Sequence, residues 1–193
     1  MNPESKQHKI LVTDYAWESL EPERRILKKA GATLVVAKTG EEDELTALAP
    51  NVDGILTCWK SVTEKVLRAA SRCLVIGRYG VGLDNIDVTH ATNAGIVVTN
   101  VPDYCAEEVS DQAMSLLLSC ARNVTFYDRA IKKGEYDLQS GVPLYRIAGK
   151  TLGIVGFGKN GRTLYRKAKG FKLKVIVYDP YLTEEMLEDG ATK

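Results

Sequence analysis

The sequence predicts an α/β protein built on parallel sheets, and two patterns carry that expectation. Apolar strand candidates begin near Lys9, Ala32, Asp53, Leu74 and Ile96, at intervals of 23, 21, 21 and 22 residues, and a helical stretch follows each of the first four. Further on, residues 151–179, TLGIVGFGKNGRTLYRKAKGFKLKVIVYD, run in the order strand, glycine turn, helix, strand, acid. Strands that alternate with crossover helices pair in parallel and carry helices on both faces. A repeat of this length also suits a leucine-rich solenoid, but the LxxLxL core is absent and the helices are long enough for crossovers.

In the first half, Ser61 and Glu64 read as a capping box ahead of Val66 and Leu67. Gly31 and Gly95 sit where helices should stop. After Pro102 the pattern changes to one long amphipathic helix, 106–123, with Val109, Ala113, Leu116, Leu117 and Cys120 as its apolar stripe. Such a helix joins two domains or packs against its twin in a dimer. Residues 129–149 are polar and carry several glycines, which predicts a second helix and a connecting loop.

The stretch 151–179 is a dinucleotide-binding unit. Leu152, Ile154 and Val155 run into Gly156, Gly158 and Gly161; the helix carries Leu164, Tyr165 and Ala168 on one face and breaks at Gly170. A second strand, 173–178, delivers Asp179, 23 residues beyond the first glycine. Gly156 permits the tight turn, Gly158 admits backbone close to a pyrophosphate, and Gly161 lets helix pack on strand. The helix N-terminus aims free N–H groups and about half a positive charge at the phosphates, and Asp179 is placed to accept hydrogen bonds from ribose hydroxyls. Gly153 to Lys159 also spells GxxxxGK, but Asn160 stands where a P-loop needs Ser or Thr, and Gly153 falls inside the strand.

Composition points to a cytoplasmic enzyme of one large or two small domains: 193 residues, 45% hydrophobic, 26 basic against 25 acidic residues. The charges form no long run, so neither nucleic acid nor an acidic membrane surface is an expected partner. The N-terminal MNPESKQHK lacks the apolar core of a signal peptide, and the apolar run 113–121 is too short to span a bilayer. Cysteines 58, 73, 105 and 120 show no CxxC pairing and read as reduced, mostly buried small hydrophobes. No metal site is expected.

RYGVGLDNIDVTHATNAGIVVTNVPDYCAEEVSDQAM, residues 78–114, resembles the substrate loop, Asn-Val-Pro hinge and interdomain helix of the D-isomer-specific 2-hydroxyacid dehydrogenases. With GFGKNG and YDPYL it is most similar to the branch holding C-terminal binding proteins and phosphoglycerate-dehydrogenase-like enzymes. The resemblance implies a flavodoxin-like substrate domain, 1–102, and the first part of a Rossmann NAD-binding domain, 103–193, C-terminally truncated, with ligands in the cleft between them. It implies substrate binding by Arg78, Tyr79, Gly80, Val81 and Gly82, where the bare N–H groups around Val81 form an anion-binding concavity and Arg78 sits beside the carboxylate of a small 2-hydroxy or 2-keto acid. It implies cofactor contacts from Val81, Val109, Gly156, Phe157, Gly158, Lys159, Asn160, Gly161, Asp179 and Pro180, and a homodimer through the Rossmann domain and helix 106–123. Relatives often carry Ser or Thr at the position of Val109, Ile or Val at that of Asn160, and His at that of Gln112. Trp59 either walls the pocket or is plain core.

Hydride transfer between an alcohol and a ketone needs a general acid/base and a cation that polarises the carbonyl. The resemblance places these, a His with its Glu partner and an Arg, beyond Lys193, so no catalytic residue is expected within the chain. His8 reads as part of a polar tail and His90 as part of a short helix. Residues after Pro102 supply two strands where such a fold uses about six. The alternative is a non-catalytic, NAD-sensing dimeric regulator of the C-terminal binding protein kind, or a truncated pseudoenzyme.

Overall fold

In the computed structural model, which describes residues 7–183, 185, 187, 191 and 192, the first five strand candidates form one parallel sheet in the order β2-β1-β3-β4-β5. The strands are β1 (His8–Val12), β2 (Ala32–Val36), β3 (Gly54–Thr57), β4 (Val75–Arg78) and β5 (Val97–Thr99). Helices α1 (Glu21–Lys29), α2 (Glu42–Leu48), α3 (Glu64–Ala69) and α4 (Val88–Asn93) alternate with them, as the repeat predicts. Because β2 and β3 flank β1 on opposite sides, right-handed crossovers put α1 on one face and α2, α3 and α4 on the other. The core follows that division: Leu11, Ile55 and Ile76 from the sheet meet Leu45, Val66, Leu67 and Ala91 from the three helices, all buried. Burial of each of the larger side chains contributes about 1.5–3 kcal/mol. Helix α1 buries none of its own residues.

Gly31 and Gly95 follow the ends of α1 and α4 with φ of +72° each, the left-handed conformation that lets the chain leave a helix. The capping box at Ser61 does not form. Thr63 caps α3, its hydroxyl accepting the Val66 N–H, and Glu64 turns outward to Arg68. His8 opens β1 instead of lying in a tail, 3.7 Å from Asp53. Trp59 is not core, being 64% exposed on the loop after β3.

The chain divides into two compact units, Met1–Tyr104 and Cys105–Lys193. The second contains α5 (Ala106–Ala121), α6 (Val124–Lys132), β6 (Thr151–Val155), α7 (Lys159–Gly170), β7 (Lys174–Tyr178) and β8 (Ala191–Thr192). Its sheet is parallel in the order β6-β7-β8, one strand more than the expected two. Alternation sets its faces: Ile154, Val175 and Val177 are buried with Phe157, Tyr165 and Ala168, while Val155, Ile176 and Tyr178 are exposed.

Helix α5 stops at Ala121, and Asn123, at φ 52°, separates it from α6, so the second helix begins earlier than the polar stretch 129–149 suggests. The expected stripe is packed only in part: Ala113 and Leu117 are half-buried, Val109, Leu116 and Cys120 are exposed, and the buried residues are Ser110 and Met114, one turn apart. Ser110 is buried although polar, its hydroxyl donating to Glu107 O, and apolar counting alone passes over it. Lys167 of α7 then clasps α5 through Glu107 and Asp111, at 2.9 and 2.5 Å. All four cysteines are free, but only Cys58 and Cys73 are buried. Among the described residues no helix is long and apolar enough to cross a membrane.

Candidate functional site

In the first unit the predicted loop starts where β4 ends, at the carboxyl edge of the sheet, the edge where open α/β sheets gather ligands. Tyr79 still donates its N–H to Thr57 O at 2.9 Å, and the loop then leaves the ladder. The carbonyls of Gly80 and Val81 are engaged, by the Val101 N–H and by Asn100 Nδ2. Among the described residues the N–H groups of Gly80, Val81 and Gly82 have no acceptor. Neither glycine has a positive φ; a Cβ at Gly80 would lie 2.6 Å from Arg78 Nη1, so the bare position leaves room for the guanidinium where it now rests. The guanidinium is folded over its own loop, beside the free N–H groups.

Three buried side-chain polar atoms lack a hydrogen-bond partner among the described residues, namely Glu23 Oε2, Arg78 Nε and Tyr79 Oη. Buried polar groups are normally paired; Glu23, on α1, faces the Tyr79 hydroxyl, so the orphan that remains to the loop is Arg78 Nε. Burial, then the Glu23 carboxylate facing it, pushes the Tyr79 hydroxyl well above its usual range and keeps it protonated. Tyr79 therefore offers the loop its backbone, not its hydroxyl.

Sequence reasoning passed over the neighbouring loop after β1. Asp14 accepts the N–H groups of Cys58, Trp59 and Lys60 at 3.0, 2.8 and 3.2 Å, plus the Thr13 hydroxyl at 2.7 Å. Burial raises its pKa, but the hydroxyl and the three N–H groups outweigh burial and hold the carboxyl below its ordinary value. Burial, and then Asp14, pushes the Cys58 thiol up, although the Arg78 guanidinium reaches it. Tyr15 and Trp17 continue that loop, their rings 5.8 Å apart, and Trp17 meets Tyr79 edge-on at 4.7 Å. The position of Asp14, just past the carboxyl end of β1, was the available signal.

In the second unit the glycine turn joins β6 to α7. Gly156 has φ +90°, and a Cβ at Gly161 would collide with the Gly156 carbonyl oxygen, so both positions require glycine. Gly158 differs: its φ is −72° and nothing lies within 4 Å of where its Cβ would be. Lys159 and Asn160 open α7 as its first two residues, where helix N–H groups lack intrahelical acceptors. Phe157 turns its ring into the core, 5.9 Å from Tyr165, and only its backbone faces the turn.

Asp179 follows β7 and lies against this turn, accepting the Phe157 N–H at 2.7 Å and the Tyr181 N–H at 2.9 Å. Those bonds, with Arg162 nearby, hold its carboxyl below the usual range. A carboxylate has about four lone-pair sites, so two remain for a ligand's hydroxyls. Arg162, the residue after the third glycine, was also missed; its Nε donates to Phe157 O at 3.0 Å. Pro180 follows Asp179, exposed, and Val109 is exposed on α5. His90 lies on α4, 3.8 Å from Glu64, and the structure places neither it nor His8 in the 78–82 loop.

A family model described as the catalytic domain of D-isomer specific 2-hydroxyacid dehydrogenases matches residues 10–193. The chain is 38% identical over 182 residues to a D-3-phosphoglycerate dehydrogenase of Methanocaldococcus jannaschii, covering 93% of this chain and 34% of that protein. It is 43% identical over 138 residues to a glyoxylate reductase of Thermococcus litoralis, covering 66% of this chain and 40% of that one. The NAD+-bound 3-phosphoglycerate dehydrogenase of Entamoeba histolytica superposes with a TM-score of 0.72 at 26% identity, covering 97% of this chain and 57% of that one. The chain thus spans well under two thirds of the length of these relatives.

Proposed function

This chain belongs to the D-isomer-specific 2-hydroxyacid dehydrogenase family, and from that premise we propose that it carries the substrate loop and the dinucleotide turn of an NAD-dependent oxidoreductase acting on the CH–OH group of a D-2-hydroxy acid. Residues 1–102 are the substrate half and residues 103–193 the NAD half on this reading, in a cytoplasmic protein. The observation that carries it is the open space over Gly158, where backbone conformation does not require glycine but a pyrophosphate does. The turn and Asp179 fit NAD: Lys159, Asn160 and Gly161 offer N–H groups to phosphate, and Asp179 holds the ribose hydroxyls. When bound, the nicotinamide supplies the hydride acceptor. Arg78 and the N–H groups of Gly80, Val81 and Gly82 bind and orient the substrate carboxylate.

The proton must move through a general acid/base. His8 faces Asp53 and His90 faces Glu64, so neither is assigned, and the 193-residue chain is expected to bind both ligands without turnover. A second reading, the NAD-sensing dimeric regulator, is favoured by one observation: Val109, Leu116 and Cys120 form an exposed line on α5, suited to a homodimer.

Calorimetric titration of the chain with NAD and NADP tests the cofactor assignment. A 2′-phosphate near Asp179 costs about 1–4 kcal/mol at 4 Å, or roughly five- to several-hundred-fold in affinity. Arg162 offsets part of that, so NAD should win by about tenfold, and Asp179→Ala should narrow the gap chiefly by weakening NAD. Equal affinity for NADP, or no binding of NAD, overturns the assignment.

A further inference from the structure

Building on the proposed substrate loop, we propose that the corner formed by Tyr15, Trp17 and Tyr79 is a side-chain pocket that selects 2-oxo and 2-hydroxy acids with uncharged, branched apolar substituents and rejects phosphorylated ones. Trp17 stands edge-on to Tyr79, the first residue of the loop whose N–H groups are free, so whatever lies against that loop lies beside the Trp17 ring. Tyr15 extends the aromatic surface, and the two rings stay 40% and 36% exposed, open to a ligand instead of packed away. The charge beside this surface is negative: Asp14, directly before Tyr15, is fixed by three backbone N–H groups and stays ionised.

Two cations of the neighbouring loops are already committed. Lys60 is bound to Glu41 at 2.6 Å, and the Arg78 guanidinium lies over Gly80, where the carboxylate is to bind. A phosphate on the substrate's far end would meet the Asp14 carboxylate and an aromatic face, with Lys60 already held by Glu41. An isobutyl group would cover aromatic surface at no electrostatic cost. The wall also explains why the Tyr79 hydroxyl is turned inward: its ring, not its oxygen, faces the pocket.

Trp17 and Trp59 are the only two tryptophans in the chain, which makes indole N–H signals in ¹H–¹⁵N spectra a direct reporter, with Trp59→Phe assigning them. The 193-residue chain is titrated with glyoxylate, which has no side chain, with 4-methyl-2-oxopentanoate, and with 3-phosphohydroxypyruvate. The branched acid should bind about tenfold tighter than glyoxylate and shift the Trp17 signal, and the phosphorylated acid should bind more weakly than glyoxylate. Trp17→Ala should bring the affinity ratio of branched acid to glyoxylate close to one. Equal or tighter binding of the phosphorylated acid overturns the pocket while leaving the substrate loop intact. If none of the three acids binds, the loop assignment fails and the pocket falls with it.

Discussion

The two glycine turns share the spelling Gly-x-Gly, at 80–82 and at 156–158, and use it for different ends. At 156 the glycine is there for a backbone angle of +90°, and at 161 for a helix lying against a carbonyl. At 80 no unusual angle is needed; the missing side chain makes room for the Arg78 guanidinium. One turn is shaped by its own chain, the other by a side chain that must stay charged and reachable. At Gly156 and Gly161 the fold itself is at stake, whereas at Gly80 function is lost before fold.

Substitutions can break that contrast. The largest effect on stability is expected for Gly161→Ala, where the new methyl meets backbone that cannot swing aside: unfolding of the second unit in urea should shift by about 1–3 kcal/mol. Gly158→Ala is the control within the same turn. Its methyl enters open space, so the urea midpoint should hold while NAD affinity drops about tenfold; a destabilised Gly158→Ala would mean the open space is structural. In the other turn, Gly80→Ala pushes only the flexible end of Arg78, so the melting temperature should stay put and glyoxylate binding should weaken about three- to tenfold.

The smallest effect concerns acid. The Asp14 carboxyl sits below its ordinary value in the fold, so its contribution is complete above the ordinary aspartate pKa and disappears as pH falls through the lowered one. Asp14→Asn should therefore cost stability at neutral pH, about 1 kcal/mol after solvent screening, with the difference shrinking as the pH drops below 3.8. A gap that is constant with pH would take the charge out of the explanation.

What was legible in the chain divides along the same line. The five strand starts and the Gly31 and Gly95 stops follow from local periodicity and backbone angle, which act within a few residues. The order of Gly156, Gly158, Gly161 and Asp179 is likewise written into one strand-turn-helix-strand unit. The surroundings of Arg78 and Tyr79 were not legible, because Cys58, beside the first, and Glu23 and Trp17, beside the second, come from other elements that only the parallel order β2-β1-β3-β4-β5 brings together. The packed face of α5 was misread in part for a related reason: Ser110 is buried with its hydroxyl turned back to Glu107 O, which a count of apolar residues cannot register.

Asp14 has one more consequence. By holding three consecutive N–H groups of the loop after β3, it joins that loop to the one carrying Tyr15 and Trp17. The aromatic wall is therefore assembled before any ligand arrives. A surface set in advance spares an incoming molecule the entropy of ordering it, about 0.5–1.5 kcal/mol for each side chain that would otherwise be frozen on contact. Association at this corner should accordingly resemble a key meeting a finished lock.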